Sequence, residues 1–285
     1  MRRVRIFDSL LRVRDEPEPA PSGHMAAVPP LLCIHGAGMS SVVFMDVVRR
    51  LAPGHRVIAL DLPGHGQSQR RPAAIGVEGY RDTVLALCQA LSLPRVVLIG
   101  HSLGAAVALS LSRLAPDRVA GLVLLNGGAQ LGVPDEVAAL IADSLPRTEP
   151  DAPPAFVDRM PDAFADLVFS PATPPELRQR WQAMLWSADA ATLLADFAVC
   201  RDLDLRAEIE RSRAQLTMPT LCLAGADDLL VPPSRVAETA ALLPGALLHV
   251  IAHSGHLSHV EQAAAVFPIL EAWLREKRSE IRSLR

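Results

Sequence analysis

Short apolar runs recur along the chain and predict buried β-strands. They lie at residues 31–34, 55–60, 96–99, 119–125, 219–224 and 246–251. Runs of this length that are rich in Val, Ile and Leu are typical of strands covered on both faces. Residues 2–14 instead alternate imperfectly between apolar and charged positions, which predicts two short antiparallel strands. A proline-rich polar stretch at 16–30 then predicts a loop.

Helical spacing of apolar positions follows most of these strands. The predicted helices span about 41–51, 77–91, the stretch after 102, 234–243 and 260–277. Strands that alternate with helices indicate right-handed crossovers and a parallel sheet. We therefore expect an α/β fold, in which a mostly parallel, twisted sheet of about eight strands carries helices on both faces.

The alternation stops at Gly127 and Gly128 and resumes near residue 215. Between these points the chain shows helical stretches broken by prolines and no strong strand. We predict a core domain made of 1–129 and 215–285, with a helical insertion at 130–214. We expect the large side chains of this insertion to pack it onto the core: Phe156, Phe164, Phe169, Trp181, Trp186 and Phe197. The charged end, 275–285, predicts a solvated helix terminus.

Composition narrows the function classes. The chain has 285 residues, half of them hydrophobic, and a net charge of -3, so it offers no basic field for nucleic acid or an anionic membrane. Its four cysteines lack metal-ligand spacing and predict reduced structural thiols. No signal peptide or membrane-length apolar run is evident, so we expect a soluble cytoplasmic protein. The pattern carries no indication of oligomeric state.

Residues 100–104 read Gly-His-Ser-Leu-Gly, between a predicted strand and a predicted helix. The chain must reverse there within one or two residues, which places the serine in a strained conformation tolerated only beside small neighbours. Its hydroxyl would then stand at a helix N-terminus, where developing negative charge is favoured. This context predicts Ser102 as a nucleophile. The alternative is an ordinary glycine-rich turn.

A serine nucleophile needs a histidine base and a carboxylate that orients it. One later strand ends in a loop with Asp227 and Asp228, and the next ends in a loop with His253 and His256. Both loops follow the carboxyl ends of parallel strands, at the edge where Ser102 lies. The spacing of His249, His253, His256 and His259 also suggests a metal site, but Ser254-Gly255 and the preceding strand argue against the continuous helix that it needs.

With this order of serine, acid and histidine, the chain resembles the α/β-hydrolase fold family from residue 31 to about 273. Five motifs carry the resemblance: the turn at 35–38, the loop at 61–68, the elbow at 100–104, the segment 225–232, and Ser254-Gly255-His256. It implies His256 as the base and Asp228 as the acid, ahead of Asp227. Some relatives place the acid after the strand that precedes the insertion, but here that strand ends in Leu125-Asn126, without a carboxylate.

The resemblance implies a serine hydrolase of the esterase or lactonase type with a helical cap at 130–214 and no cofactor or metal. The backbone amides of Ala37 and Leu103 would bind the oxyanion. A serine at the elbow argues against relatives that use aspartate there, the haloalkane dehalogenases and epoxide hydrolases. The substrate would be a small molecule with a small to medium apolar acyl group.

Acyl transfer to an alcohol or peroxide, cleavage of a carbon-carbon bond in a diketone, and an enol-lactone reaction are alternatives on the same residues. A non-catalytic binding protein is a further one. Candidate pocket residues are Met39, His101, Trp181 and Trp186. The arginines of the insertion are expected on the solvated surface: Arg159, Arg178, Arg180 and Arg201.

Overall fold

The computed structural model describes residues 1–16, 28–69, 76–132, 139 and 162–283. In these residues eight strands form one sheet. The strands are β1 (Arg2–Ile6), β2 (Ser9–Glu16), β3 (Leu31–Ile34), β4 (Val57–Leu60), β5 (Val96–His101), β6 (Val119–Leu125), β7 (Thr220–Gly225) and β8 (Leu247–Ile251). Their order across the sheet is β1-β2-β4-β3-β5-β6-β7-β8. The expectation of a mostly parallel sheet of about eight strands is confirmed.

Only β2 runs against the other strands. β1 pairs with β2, and β2 with β4, in antiparallel register, whereas every pairing from β4 to β8 is parallel. The central strands β3 to β7 are buried along their whole length, which is why they read as unbroken apolar runs. Their carboxyl ends therefore meet at one edge, where the predicted site residues follow them.

Helices cover both faces of the sheet. The helices are α1 (Met45–Leu51), α2 (Val77–Ala90), α3 (Leu103–Leu114), α4 (Asp162–Val168), α5 (Pro175–Gln182), α6 (Ala190–Asp202), α7 (Arg206–Ser212), α8 (Pro233–Leu242), α9 (Ser258–Glu261), α10 (Ala263–Glu276) and α11 (Arg278–Ser283). Short 3-10 turns lie at Ser41–Phe44, Pro116–Arg118 and Arg213–Gln215. Helices α1 and α10 pack on each other, as do α2 and α3. The helices α4 to α7 lie between β6 and β7, where the sequence predicts the insertion.

The C-terminal end differs from its prediction. Instead of one helix at 260–277, the chain forms α9, α10 and α11, with Pro268 inside α10. Most of the charged end is exposed as expected, including Arg275, Glu276 and 278–280, but Ile281 is 1% exposed and packs α11 on β6. Ile281 is flanked by charged residues, so the sequence pattern did not indicate that it is buried.

Two further features bear on function. The four cysteines are buried and unpaired, as expected of structural thiols. Among the described helices, none has both the length and the apolar character to cross a bilayer. Nor do the described residues contain a group of three or more His, Cys, Asp or Glu side chains that could hold a metal ion.

Candidate active site

Ser102 lies at the turn between β5 and α3. Its backbone has φ 53° and ψ -120°, a conformation that L residues rarely adopt. The turn is tight because a Cβ on Gly104 would lie 2.1 Å from the backbone oxygen of Ile34, and one on Gly100 would lie 2.3 Å from the oxygen of Gly104. Small residues at these two positions therefore let the elbow close against β3.

The predicted acid and the predicted base meet in the loops that follow β7 and β8. Nδ1 of His256 lies 2.9 Å from Oδ2 of Asp228, and both side chains are buried. The other carboxylate oxygen of Asp228 accepts hydrogen bonds from the backbone N–H groups of Leu230 (3.0 Å) and Val231 (2.9 Å). Because Asp228 accepts at Nδ1, that nitrogen carries the proton and Nε2 is left free to accept one.

Asn126 completes this arrangement and was not predicted as a site residue. It ends β6 in a left-handed conformation with φ 49° and is fully buried. Its amide nitrogen donates to Oδ2 of Asp228 and to the backbone oxygen of Gly255, both at 3.0 Å. Its oxygen accepts from the hydroxyl of Ser258 at 2.5 Å. Asn126 thus fixes the acid relative to the loop of the base, from the position where some relatives carry the acid itself.

Glu261 holds the backbone on both sides of His256. The carboxylate, 7% exposed, accepts from the N–H groups of Gly255 and Leu257, both at 3.0 Å. It also accepts from the N–H of Ser170 (2.8 Å) and the hydroxyl of Thr173 (2.5 Å). This single side chain therefore ties the loop of the base to the segment after α4. No sequence motif marked it.

Asp227 has a different role from its neighbour. Its carboxylate is half-buried and accepts a hydrogen bond from the hydroxyl of Ser170 at 2.6 Å. Its backbone N–H donates to the oxygen of Ser254. Asp227 therefore stabilises the loop, and Asp228 is the carboxylate that contacts His256.

The competing histidines lie elsewhere. His253 is exposed, with φ 55°, and His249 is exposed on the edge strand β8. His259 is buried, which lowers its pKa to about 4, and its Nε2 donates to the backbone oxygen of Val43. Neither the exposed pair nor His259 lines the cavity beside Ser102. His256 alone among these four lies on that cavity in the part of the chain that the structure describes.

His101 was predicted as a pocket residue, but the structure places it behind the base. Its Nε2 donates to the backbone oxygen of His256 at 2.8 Å, and the two ring centroids are 4.9 Å apart. Complete burial lowers the pKa of His101 well below its ordinary value, and the neighbouring histidines add to this. We correct its assignment from substrate contact to support of His256.

The two predicted oxyanion donors flank Ser102. Leu103 is the first residue of α3, so its N–H has no acceptor within the helix. Ala37 lies in the turn after β3 and lines the same cavity as Ser102. Gly36 packs so closely on the elbow that a Cβ there would lie 2.9 Å from that of Ser102. This approach brings the turn to the serine, as an oxyanion site requires.

Ser102 and His256 line a narrow cavity of about 20 Å³. Its other walls are apolar or weakly polar: Ala37, Met39, Leu131, Phe164, Val168, Trp186, Phe197, Cys200, Leu230 and Val231. Met39 and Trp186, two of the candidate pocket residues, line this cavity. Trp181 is buried in α5 but does not line the cavity, so its predicted contact with substrate is corrected.

Several of these wall residues come from the predicted insertion. Phe164 and Phe197 contact Trp186 with ring centroids 5.3 and 6.4 Å apart. The sequence marked these aromatics as large packing residues, and their contact with the cavity could not be read from their spacing. Phe156 and Arg159 lie outside the described residues. Of the other arginines named above, Arg178 and Arg201 form ion pairs with Asp166 and Asp202, and Arg180 is exposed.

Comparison with known proteins agrees with the described fold. The model of the alpha/beta hydrolase fold family matches residues 29–263. The chain therefore belongs to the α/β-hydrolase fold family, and it is an enzyme of the hydrolase class.

The relatives differ in what they are named for. The “Putative carbamate hydrolase RutD” of Variovorax paradoxus is 34% identical over 235 residues, which are 75% of this chain and 79% of that protein. The dihydrolipoyllysine-residue acetyltransferase component of the acetoin cleaving system of Pseudomonas putida is 29% identical over 248 residues, 87% of this chain. The match spans only 64% of that longer protein.

Among solved structures, a thermophilic esterase from Thermogutta terrifontis superimposes with a TM-score of 0.80 at 25% identity. The superposition covers 98% of this chain and all of that one. The described fold is thus shared along nearly the whole chain.

Proposed function

We propose that the protein is a serine hydrolase that cleaves an ester-like bond, in an ester, lactone or thioester, through Ser102, His256 and Asp228. The observation that carries this proposal is the buried His256–Asp228 hydrogen bond of 2.9 Å, on a cavity that also contains Ser102. The esterase among the structural neighbours and the carbamate hydrolase among the relatives support a reaction at a carbonyl carbon.

The reaction follows from the protonation states that the hydrogen bonds define. Nε2 of His256 takes the hydroxyl proton of Ser102 as Oγ forms a bond to the carbonyl carbon. The Ala37 and Leu103 amides bind the resulting oxyanion, and His256 returns the proton to the leaving group as its bond breaks. Water then attacks the acyl-enzyme with His256 again as base. The released acid and the free serine complete the cycle.

The cavity walls indicate the substrate class. The residues described as lining the cavity include no Asp, Glu, Lys or Arg. An anionic acyl group would lose its hydration there without a partner, at a cost of several kcal/mol. The apolar walls therefore favour an uncharged acyl group, which we propose is of small to medium size.

Covalent labelling tests the nucleophile. A fluorophosphonate probe should add once to the wild-type protein and not to the Ser102→Ala variant, as measured by intact mass. Ser110→Ala is a matched control, because Ser110 is a buried serine of the same helix α3 outside the cavity, and it should label normally. Labelling that persists in Ser102→Ala would contradict the assignment.

A series of p-nitrophenyl esters then tests the substrate class. We expect kcat/KM to be highest for a short or medium uncharged acyl chain and to fall when the chain ends in a carboxylate. A preference for the carboxylate-ended ester would overturn the proposed class while leaving the nucleophile intact. Adding an alcohol acceptor distinguishes acyl transfer, since a transferase would yield the new ester in place of the free acid.

A further inference from the structure

Asp196 is a fully buried carboxylate on α6, outside the residues assigned to the reaction. Its Oδ2 lies 2.9 Å from Nε2 of His65 and 3.2 Å from the backbone N–H of Gly38. Its Oδ1 accepts from the hydroxyl of Tyr80 at 2.6 Å. Three donors from three separate segments of the core therefore converge on one carboxylate of the predicted insertion.

The hydrogen bonds of His65 define its charge. Nδ1 lies 3.1 Å from the backbone oxygen of Pro63, and Nε2 lies 2.9 Å from Asp196. Opposite an ionised Asp196, both ring nitrogens carry protons, because carbonyl and carboxylate oxygens only accept. The ring is then an imidazolium, paired with the carboxylate at 0% exposure on both sides. The nearby His35 is different: its Nε2 accepts from the N–H of Leu62, so that ring is neutral.

The pair lies directly beneath the proposed oxyanion turn. Gly38 is the residue after Ala37. Its backbone N–H donates to Asp196, and its backbone oxygen accepts from the N–H of Ser187. A Cβ on Gly38 would lie 2.2 Å from the side chain of Leu193, so α6 presses on this turn. The same helix carries Phe197 and Cys200 of the cavity wall. Movement of Asp196 would therefore move the turn and the wall together.

We propose that Asp196 is a positioning residue for the oxyanion site, and that it acts as the anion of a buried ion pair with His65. This rests on the proposed function, because the donor that it positions is the Ala37 amide. Since a misplacement of about 1 Å costs on the order of 100-fold in rate, the effect should be measurable in the chemical step.

The charge of His65 can be tested in the wild-type protein without any activity. In a ¹⁵N-labelled sample at about pH 7, both ring nitrogens of His65 should carry protons, with the signals assigned by their loss in His65→Gln. Hydrogen exchange of the Gly38 amide should be slow in wild type and at least 10-fold faster in Asp196→Asn. A ring with one proton, or an unchanged Gly38 amide, would overturn the proposal.

Kinetics test the positioning role. Asp196→Asn should lower kcat/KM by about 10- to 100-fold. It should also lower the affinity for a trifluoromethyl ketone, which forms a tetrahedral adduct with the serine, by a similar factor. The corresponding methyl ketone, which binds without that adduct, should keep its affinity. Equal loss for both ketones would indicate a merely structural role and contradict the proposal.

Two variants keep these outcomes clear. Asp202→Asn on the same helix is the control, because Asp202 is exposed and pairs with Arg201 on the surface; it should behave as wild type. Tyr80→Phe removes one donor to Asp196 away from the turn and should have a smaller effect than Asp196→Asn. If wild type neither labels with fluorophosphonate nor binds the trifluoromethyl ketone tightly, the proposed function fails. The protonation of the His65 ring and the exchange rate of the Gly38 amide still test whether the ion pair exists.

Discussion

At the scale of single residues, we expect different effects from substituting two adjacent aspartates, Asp228 in the proposed reaction and Asp227 in the loop. Asp228→Asn should lower kcat by about 10,000-fold, because the amide favours the wrong tautomer of His256. Asp227→Asn loses only its contact with Ser170, and we expect a kcat within about 3-fold of wild type. Steady-state ester hydrolysis by both variants measures these kcat values. A larger loss of kcat in Asp227→Asn than in Asp228→Asn would assign the acid to Asp227.

Glu261 offers a second test at this scale. Glu261→Gln replaces one acceptor oxygen by an NH2 donor, so at least one buried N–H of the His256 loop loses its acceptor, at a cost of about 1–3 kcal/mol. We expect a lower free energy of unfolding in urea and a kcat reduced by about 10- to 100-fold, since the base shifts.

The control for Glu261 is Glu271→Gln on the next helix. Glu271 pairs with Arg50 on the surface, where an ion pair contributes about 1 kcal/mol or less. Its urea transition and kcat should stay near those of wild type. A kcat for Glu261→Gln equal to that of this control would exclude a positioning role.

The residues that the sequence could predict are those embedded in local motifs. Ser102 follows a strand within a glycine-rich turn, and Asp228 and His256 each follow a strand end, so neighbouring residues reveal them. Asn126 contacts Asp228 from 102 positions away, and two donors to Glu261, Ser170 and Thr173, lie 91 and 88 positions away. Such contacts leave no local pattern, and only the folded chain shows them.

At the scale of elements, α11 shows how a small apolar anchor decides where a helix lies. Ile281 is buried against β6 and α10, near Gly121 and Trp273. Ile281→Ala should lower the free energy of unfolding by about 2–4 kcal/mol, because it removes packed methyl groups and leaves a void. Activity per folded molecule should not change, since this helix is remote from the cavity.

Leu114→Ala is the comparison for this element. Leu114 is 49% exposed, so its truncation should change the unfolding free energy by less than about 0.5 kcal/mol. Urea denaturation followed by fluorescence measures both variants. Equal stability of Ile281→Ala and wild type would show that α11 does not contribute to the folded core.

Element prediction succeeded where burial was complete and failed where it was partial. β3 and β6 have the predicted bounds because every residue in them is apolar and buried. The C-terminal helices were misjudged since one isoleucine among charged residues has too little periodicity to mark a buried face. The helical character of the segment between β6 and β7 and its packing through aromatic side chains were predicted, whereas the hydrogen bonds of Asp196, Ser170 and Thr173 with the core were not.

At the scale of the whole molecule, the His65–Asp196 pair should make stability depend on pH. Burial disfavours the charged ring, but the Asp196 carboxylate outweighs this and raises the pKa of His65 above its ordinary value of 6.5. The backbone oxygen of Pro63 and the Asp61 carboxylate act in the same direction, while the neutral His35, whose pKa burial lowers to about 3, adds no positive charge.

A raised folded pKa gives stability that is complete below the unfolded pKa and is lost as pH rises through the folded value. The free energy of unfolding of wild type, relative to His65→Gln, should therefore be greatest at about pH 6 and should decline above neutrality. Urea titrations of both proteins at about pH 6, 7.5 and 9 measure it. A difference that grows with pH would contradict the assigned charge.

The position of the α4 to α7 segment between β6 and β7 has a consequence for how new specificities could arise. These neighbouring strands pair although 94 residues separate Leu125 from Thr220. The entropy of closing such a loop depends only on the logarithm of its length, so doubling or halving the segment changes it by about 0.6 kcal/mol. Chain length there is almost free to vary, provided that a carboxylate still reaches His65 and Gly38 and that donors still reach Glu261. We therefore expect that this segment could be exchanged without redesign of the sheet.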